Sequence, residues 1–226
     1  KCGEVSDLYT PLKGISLKEL HKKPIMLDAN ILMVGIEDRA KDPNCSFENM
    51  KNLYIIPLFA CFSNILIHEK VYNELDAECR QLVDSYTDHN ITIVCEGDLY
   101  GVDPQYTTIF NNISKHDLVK YRRPSSKDCG EVFSLAYASY HGINYFSSKE
   151  IMVDNIAREI KELEDILIIT FDIVVLNALL YYNSQGITTH NKALKSIYKK
   201  YCEDVIKRHK LPSTLIEYLQ QSKKYL

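Results

Sequence analysis

Asp28 interrupts an apolar run, IMLDANILM, and Asn30 follows it two places on. A carboxylate in such a run is costly to bury unless it is paired, binds something, or caps the next element. Other acids accompany it along the chain. Glu74 stands in ILIHEKVYNEL, Asp128 and Glu131 in KDCGEVFSLAYASYHG, and Glu150 and Asp154 in SSKEIMVDNIAREI. Asp128 and Glu131, at i and i+3, share one face of a helix. Brought together, such carboxylates repel and raise one another's pKa unless a cation neutralises them. An oxygen-only set suits Mg2+ or Mn2+ and not zinc. Such ions hold a phosphodiester and lower the pKa of a bound water, so the chemistry expected is hydrolysis of a phosphodiester by an in-line water.

Acids this far apart meet only if the fold gathers them. The segments PIMLDAN, NILIH, ITIVC, INYFS and ILIITF read as short buried strands. Helical stretches alternate with them: ILMVGIEDRA, FENMKNLYIIPLFACFS (kinked or restarted at Pro57), EKVYNELDAECRQLVDSY, PQYTTIFNNIS, SSKDCGEVFSLAYASYHG, KEIMVDNIAREIKEL and IVVLNALLYYNSQG. The cleanest places Val132, Leu135, Ala136 and Ser139 at i, i+3, i+4 and i+7, with Gly142 as its stop. SLKELHKK reads as a short helix capped by Ser16, and the last forty residues as two amphipathic helices broken at LPS. This alternation predicts an α/β fold, a central parallel sheet of about five strands covered by helices on both faces. All strand C-terminal ends then share one edge, where ligands of such folds bind. Asp28 ends the first strand. Glu74 lies in the first turns after the second. Asp128 and Glu131 open the helix before the fourth, and Glu150 and Asp154 the helix after it.

The 226 residues are 46% apolar, enough for a sizeable core. A net charge of −3 argues against nucleic-acid binding by bulk charge, and leaves room for a local basic patch. The seven cysteines are widely spaced with no C-x-x-C, which fits scattered thiols of a cytoplasmic protein better than a disulfide framework or a zinc site. The seven histidines show no H-x-x-x-H or H-E-x-x-H spacing, and no glycine-rich nucleotide motif occurs. DILIITFDIVVLNALLYY is broken by Asp172 and Asn177, so no membrane span is expected. No secretory signal is read. The chain begins at Lys1 and not Met, as a piece of a longer protein would.

The order of these segments resembles the PIN domain, the fold of VapC-type toxins and of many other metal-dependent ribonucleases. The resemblance runs from about Pro24 to Gly186. Residues 1–23 then form an N-terminal extension and 187–226 a helical C-terminal extension packed on the same domain. IMLDANIL is similar to the family's first motif, with Asp28 as its aspartate. NILIHEKVYNEL resembles the second and places its glutamate at Glu74. KDCGEVFSLAYASYHGINYF is similar to the third in the subgroup reading D-x-G-E, with Glu131 as its acid and Asp128 as the upstream companion. The fourth motif departs. Where the family has Thr or Ser followed by Asp after strand four, this chain reads YFSSKE. Ser147 stands for the hydroxyl, Ser148 or Lys149 occupies the aspartate position, and Glu150 or Asp154 is the substitute acid, or the site has three acids only.

The resemblance implies a three-layer α/β/α fold and a ribonuclease using Mg2+ or Mn2+. Asp28, Glu74, Glu131 and Glu150 would be metal ligands, Asp128 would assist catalysis, and Asn30, Ser147, Ser148 and Asp154 would support them. It also implies RNA as substrate, a small antitoxin protein that occludes the site if the chain is a toxin, and a homodimer. The altered fourth motif keeps a second function in view, a PIN-like module that binds RNA or protein without cleaving. A carboxylate reaching the site from Glu150 or Asp154 counts against that module, and Lys149 pointing into the site counts for it. A phosphatase of the haloacid dehalogenase class resembles D-x-D at this point, and Asn30 stands in place of its second acid.

Plainer roles compete at each residue. Asp28 and Asn30 are suited to cap a helix, and Glu74 to sit on a solvated helix face. Ser125 and Asp128 match a capping box, and first-turn acids such as Glu150 and Asp154 are common. Cys129 is expected as a packing residue and His68 as a satisfied strand-end residue. KYRRPSSK supplies Lys120, Arg122, Arg123 and Lys127 as a candidate RNA-phosphate contact beside the acids, or as a solvated loop. KSIYKKYCEDVIKRHK is a second basic stretch, which reads as an RNA or partner contact or as the polar side of a surface helix.

Overall fold

Five short strands, β1 (Ile25–Leu27), β2 (Ile65–His68), β3 (Ile91–Val94), β4 (Tyr145–Ser147) and β5 (Leu167–Ile169), pair in parallel in the order β3-β2-β1-β4-β5. In this computed structural model residues 17–34, 47–119, 129–203, 206–207 and 210–222 are described. Asp128, Lys120, Arg122, Arg123, Lys127, Ser16 and Ser125 lie outside them.

The register sets Ile25 opposite Ile65 and Tyr145, and Ser147 opposite both Leu27 and Ile169. Side chains alternate across a strand, so each strand feeds two cores. Ile25, Leu27, Ile65, Ile67 and Ile169 enter one core; Met26, Phe146 and Ile168 enter the other. The second core is closed by α7 (Pro104–Ser114), α8 (Cys129–Tyr140) and α9 (Ile151–Glu159). The first is closed by α2 (Ala29–Leu32), α3 (Phe47–Met50), α4 (Ile56–Ala60), α5 (Glu69–Glu74), α6 (Ala77–Asp84) and α10 (Phe171–Ser184). A single turn, α1 (Leu17–Leu20), precedes β1. The result is the three-layer α/β/α arrangement with a parallel sheet that the alternation of segments predicts.

Among the described residues the C-terminal stretch holds α11 (Asn191–Tyr201) and α12 (Leu215–Ser222), with Glu203, Ile206 and Lys207 also helical, so the expected first of two helices is interrupted at Cys202, before the break around LPS. Leu194, Ile197 and Tyr198 of α11 and Leu215 and Tyr218 of α12 join the first core. α10 is buried from Phe171 to Leu179 because the sheet lies on one side of it and α11 and α4 on the other. The apolar run that contains β5 and α10 is therefore core. Among the described residues no helix is long and apolar enough to cross a membrane.

Local readings change in several places, among them KEIMVDNIAREIKEL, where α9 stops at Glu159 and Lys161–Leu163 form a separate 3-10 turn after the extended Ile160. EKVYNELDAECRQLVDSY is two helices: Leu75 is extended (ψ 148°), and Asp76 caps α6 by accepting from the Cys79 amide at 2.7 Å. An aspartate that can satisfy an orphan amide competes with helix continuation at its own position. The helix after β1 begins at Ala29 and not Ile31, because Asp28 caps it. The kink or restart expected at Pro57 takes the form of a π-turn, Lys51–Ile55, before α4. Proline has no N–H to donate and its ring crowds the preceding turn, so widening that turn accommodates it. Tyr54 in the widened turn reaches the Ile31 carbonyl at 2.9 Å and ties α2 to it.

Candidate functional site

The strand order reverses at β1. One connection leaves it towards β2 and β3, while β4 and β5 stack on its other side. Connections that diverge this way open a crevice at the carboxyl ends of the two strands where the order switches. Those ends carry Asp28, directly after β1, and Ser147 and Ser148, at the end of β4.

Asp28 is held from several sides. Its Oδ1 accepts from the Ala29 amide at 2.7 Å. Its Oδ2 accepts from Asn30 Nδ2 at 2.6 Å and from the Ser148 hydroxyl at 2.9 Å. Ser148 Oγ in turn accepts from Asn30 Nδ2 at 3.1 Å and from the Glu150 amide at 3.0 Å. Asn30 Oδ1 accepts from the Lys149 amide at 2.9 Å. The Asp28 amide itself donates to the Ser147 carbonyl at 3.0 Å, extending the β1–β4 pairing by one residue. The two loops are thus stitched by a closed polar network.

Burial pushes the Asp28 carboxyl up to about 7; the hydrogen bonds from Ser148 and Ala29 oppose this, and the charges of Glu74 and Glu150 add to it. Asp28 is 1% exposed, and among the described residues no lysine or arginine forms an ion pair with it. A carboxylate placed so is stabilised by a proton or by a cation.

Glu74 ends α5 and reaches α8: its Oε1 accepts from the Gly130 amide at 3.2 Å. Gly130 permits this approach. A Cβ there would lie 2.8 Å from Glu74 Oε1 and 3.0 Å from Val71 Cγ2. Glu131 lies in the first turn of α8. Burial pushes the Cys129 thiol up to about 11, and Glu74 and Glu131 both add to that. Cys129 is therefore a protonated packing residue at neutral pH. Glu74 stands between two groups, acting on Asp28 and on Cys129, and Glu131 acts on Cys129.

The structure sorts the residues of the fourth motif. Ser147 is turned away: its hydroxyl donates to the Ile169 carbonyl at 2.8 Å and fastens β4 to β5. Ser148, not Ser147, supplies the hydroxyl at Asp28. Glu150 is exposed at the N-terminus of α9 and its charge reaches Asp28. Asp154 is spent on Arg158, with contacts of 3.0 and 3.1 Å along one helix face. Lys149 lays its ammonium 5.7 Å from the Phe171 ring centre and does not enter the Asp28 network through its side chain.

The oxygen-only donors around Asp28 are of the kind that hold Mg2+ or Mn2+. Among the described residues, however, no group of three or more His, Cys, Asp or Glu stands close enough to hold a metal ion. Asp128 and the basic run from Lys120 to Lys127 fall outside those residues.

Two acids beside this site, one half-buried and one fully buried, were not singled out by spacing. Glu96 follows β3 and lies 3.1 Å from Nε2 of the fully buried His68, although the two are not aligned as a hydrogen bond. His68 also caps α5, its Nδ1 accepting from the Lys70 amide at 3.2 Å. Asp172, fully buried in the first turn of α10, accepts from the Tyr218 hydroxyl at 2.8 Å. For Asp172 the one available signal was an acid directly after an apolar strand, the same signal that marks Asp28.

Compared with protein-family models, with curated proteins and with solved structures, the chain matches none of them.

Proposed function

We propose that this chain is a metal-dependent ribonuclease of the PIN class, in which Asp28 is the central carboxylate and Glu74 and Glu150 flank it. The observation that carries the reading is the state of Asp28. It is a buried carboxylate at the topological switch point, raised to about 7 by burial and by two neighbouring acids, with no basic partner among the described residues. Free energy is gained there when a cation arrives. Glu150 supplies a carboxylate after β4 although the usual aspartate is missing, and Lys149 lies over Phe171. Both features favour a nuclease over a module that has lost its chemistry.

Asp28, Glu74 and Glu150, with Glu131 and Asp128 from the D-x-G-E segment, would hold Mg2+ or Mn2+. Bound there, the ion would polarise a phosphodiester and acidify a water. Ser148 and Asn30 fix the Asp28 carboxylate, so its orientation needs no rearrangement when substrate binds. Glu74, anchored on the α8 amide, sets how closely α5 and α8 approach. The toxin role, an antitoxin partner and a homodimer belong to this proposal through the family resemblance alone.

One observation favours the second reading, a module that binds RNA without cleaving it. Both Asp28 oxygens are already hydrogen-bonded, and the described side chains do not close a ligand shell. Cleavage of labelled single-stranded and structured RNAs, with Mg2+, with Mn2+ and with EDTA, separates the two. Metal-dependent cleavage abolished in Asp28→Asn is the expected result. Absence of cleavage under every metal, together with no ion bound in a metal titration, transfers the assignment to the binding module.

A further inference from the structure

α11 carries four lysines and no acid, in a chain whose net charge is −3. Lys192, Lys195 and Lys199 follow i, i+3 and i+7 and are exposed, while Leu194, Ile197 and Tyr198 face the core. At about 1.5 Å of rise per residue the row spans about 10 Å.

This row is not what helix stability asks for. Lysines three and four apart repel one another, and Lys192 stands in the first turn, where the helix dipole disfavours a cation. No acid occupies that turn, and none of the three lysines forms an ion pair among the described residues. The chain places acids against bases elsewhere, as in Asp154 with Arg158 on α9 and Glu19 with Lys22 beside α1. An unmixed cationic row carries a free-energy penalty that an anionic partner offsets.

Its position relates it to Asp28. α11 runs antiparallel to α10. Its beginning touches the end of α10, with His190 4.5 Å from Tyr182 and Asn191 donating to Asn183 at 3.0 Å. Its end, Cys202, lies where the charges of Asp172 and Lys149 both act on it, at the first turn of α10. That turn is on the sheet edge that carries Asp28, and the Lys149 amide is bonded to Asn30 of the Asp28 network. The lysine row therefore runs along α11 from the end of α10 towards the first turn of α10, where the charges of Asp172 and Lys149 act on Cys202.

We infer that Lys192, Lys195 and Lys199 form a track for the phosphates of single-stranded RNA, along which the strand reaches Asp28. The inference deepens the ribonuclease reading and rests on it for the destination of the strand. A row of point charges on one convex helix face follows a flexible phosphate backbone and has no geometry for reading bases.

The test is binding of a fluorescein-labelled oligouridine to the full chain in EDTA, followed by anisotropy over a range of salt. The comparison is the triple variant Lys192→Gln, Lys195→Gln, Lys199→Gln. All three positions are exposed, and removing their mutual repulsion leaves the melting temperature equal or higher. The expected result is at least about tenfold weaker binding, and a slope of log K against log salt shallower by about 2, at about 0.7 for each phosphate no longer neutralised. Equal affinity and slope in the two proteins overturn the inference, as does failure of the unmodified chain to bind. Failure of the ribonuclease reading looks different: lysine-dependent binding without cleavage in Mg2+ or Mn2+ leaves the track standing and removes the nuclease.

Discussion

The Ser148 hydroxyl donates to Asp28 Oδ2 at 2.9 Å, joining residues 120 positions apart in the chain. The bond joins the carboxyl ends of β1 and β4 and gives the buried carboxylate its chief stabilising partner. Because the same hydroxyl accepts from Asn30 and from the Glu150 amide, one side chain organises the loop after each strand. Consequences for stability and activity follow from this and from the neighbouring polar pairs.

Asp28 makes the metal-free protein less stable as pH rises. Its folded pKa is raised, from 3.8 to about 7, so the folded chain keeps a proton that the unfolded chain gives up. The stability is fully present below about pH 4 and is lost as pH climbs through 7. At about 1.4 kcal/mol per unit the full change is on the order of 4 kcal/mol. Denaturant unfolding in EDTA at a series of pH values, with Asp28→Asn as reference, measures it. A difference between the two proteins that stays constant from about pH 4 to about pH 8 contradicts the assignment. Under the proposed function, Mg2+ at about pH 8 raises the midpoint of the unmodified chain and leaves that of Asp28→Asn unchanged.

Gly130→Ala tests the approach of α5 to α8. The new methyl would meet Glu74 Oε1 and Val71 Cγ2 at 2.8 and 3.0 Å. The glutamate can swing aside, but Val71 is buried, so the helices must separate. A loss of about 1–3 kcal/mol in unfolding free energy is expected, typical of overpacking. Any cleavage activity falls with it, because Glu74 loses its anchor on the Gly130 amide. Unchanged stability would show that the interface yields freely.

Glu96→Gln addresses the other side of the sheet edge. Burial pushes the Glu96 carboxyl up, but His68, Glu96's own backbone amide and Lys70 together hold it below its ordinary value. A depressed carboxylate contributes stability above its unfolded pKa and loses it as pH falls through the folded one. The variant is expected to unfold more easily at neutral pH, since the carboxylate charge set against the buried His68 nitrogen is removed. The deficit shrinks in acid. Thermal melts at about pH 7 and about pH 3.5 give the comparison, and an equal deficit at both rules out the pairing as its source.

Tyr218→Phe probes how the C-terminal helices are fastened. The hydroxyl bonds Asp172, which burial raises above the ordinary carboxylate range and which this bond helps to bring down. Removing it costs about 1–3 kcal/mol. The cost is greater at high pH, where Asp172 is charged, than in acid, where it is protonated. Hydrogen exchange adds a spatial check: amides of α11 and α12 are expected to lose protection before those of the sheet.

Much of this protein was legible from residue order. The five apolar strands, α7, the stop at Gly142 and the break between the last two helices follow from short-range physics: alternation, capping and backbone freedom act within a few residues. Asp28 was legible too, because a carboxylate in an apolar run is conspicuous without any fold. The split between α5 and α6 was less so, since Asp76 serves equally well inside a polar helix face and as a cap, and only packing of Leu75 and Cys79 into the core selects the cap. The choice between Ser147 and Ser148 lay beyond sequence. Adjacent residues on a strand point to opposite sides, and which side meets Asp28 depends on the register of β4 against β1 and β5. Likewise the sheet order, not the spacing of acids, decided that Glu74 and Glu150 act on Asp28 while Asp154 turns to Arg158. Local chemistry determined which groups the chain owns; long-range strand pairing determined which of them share a crevice.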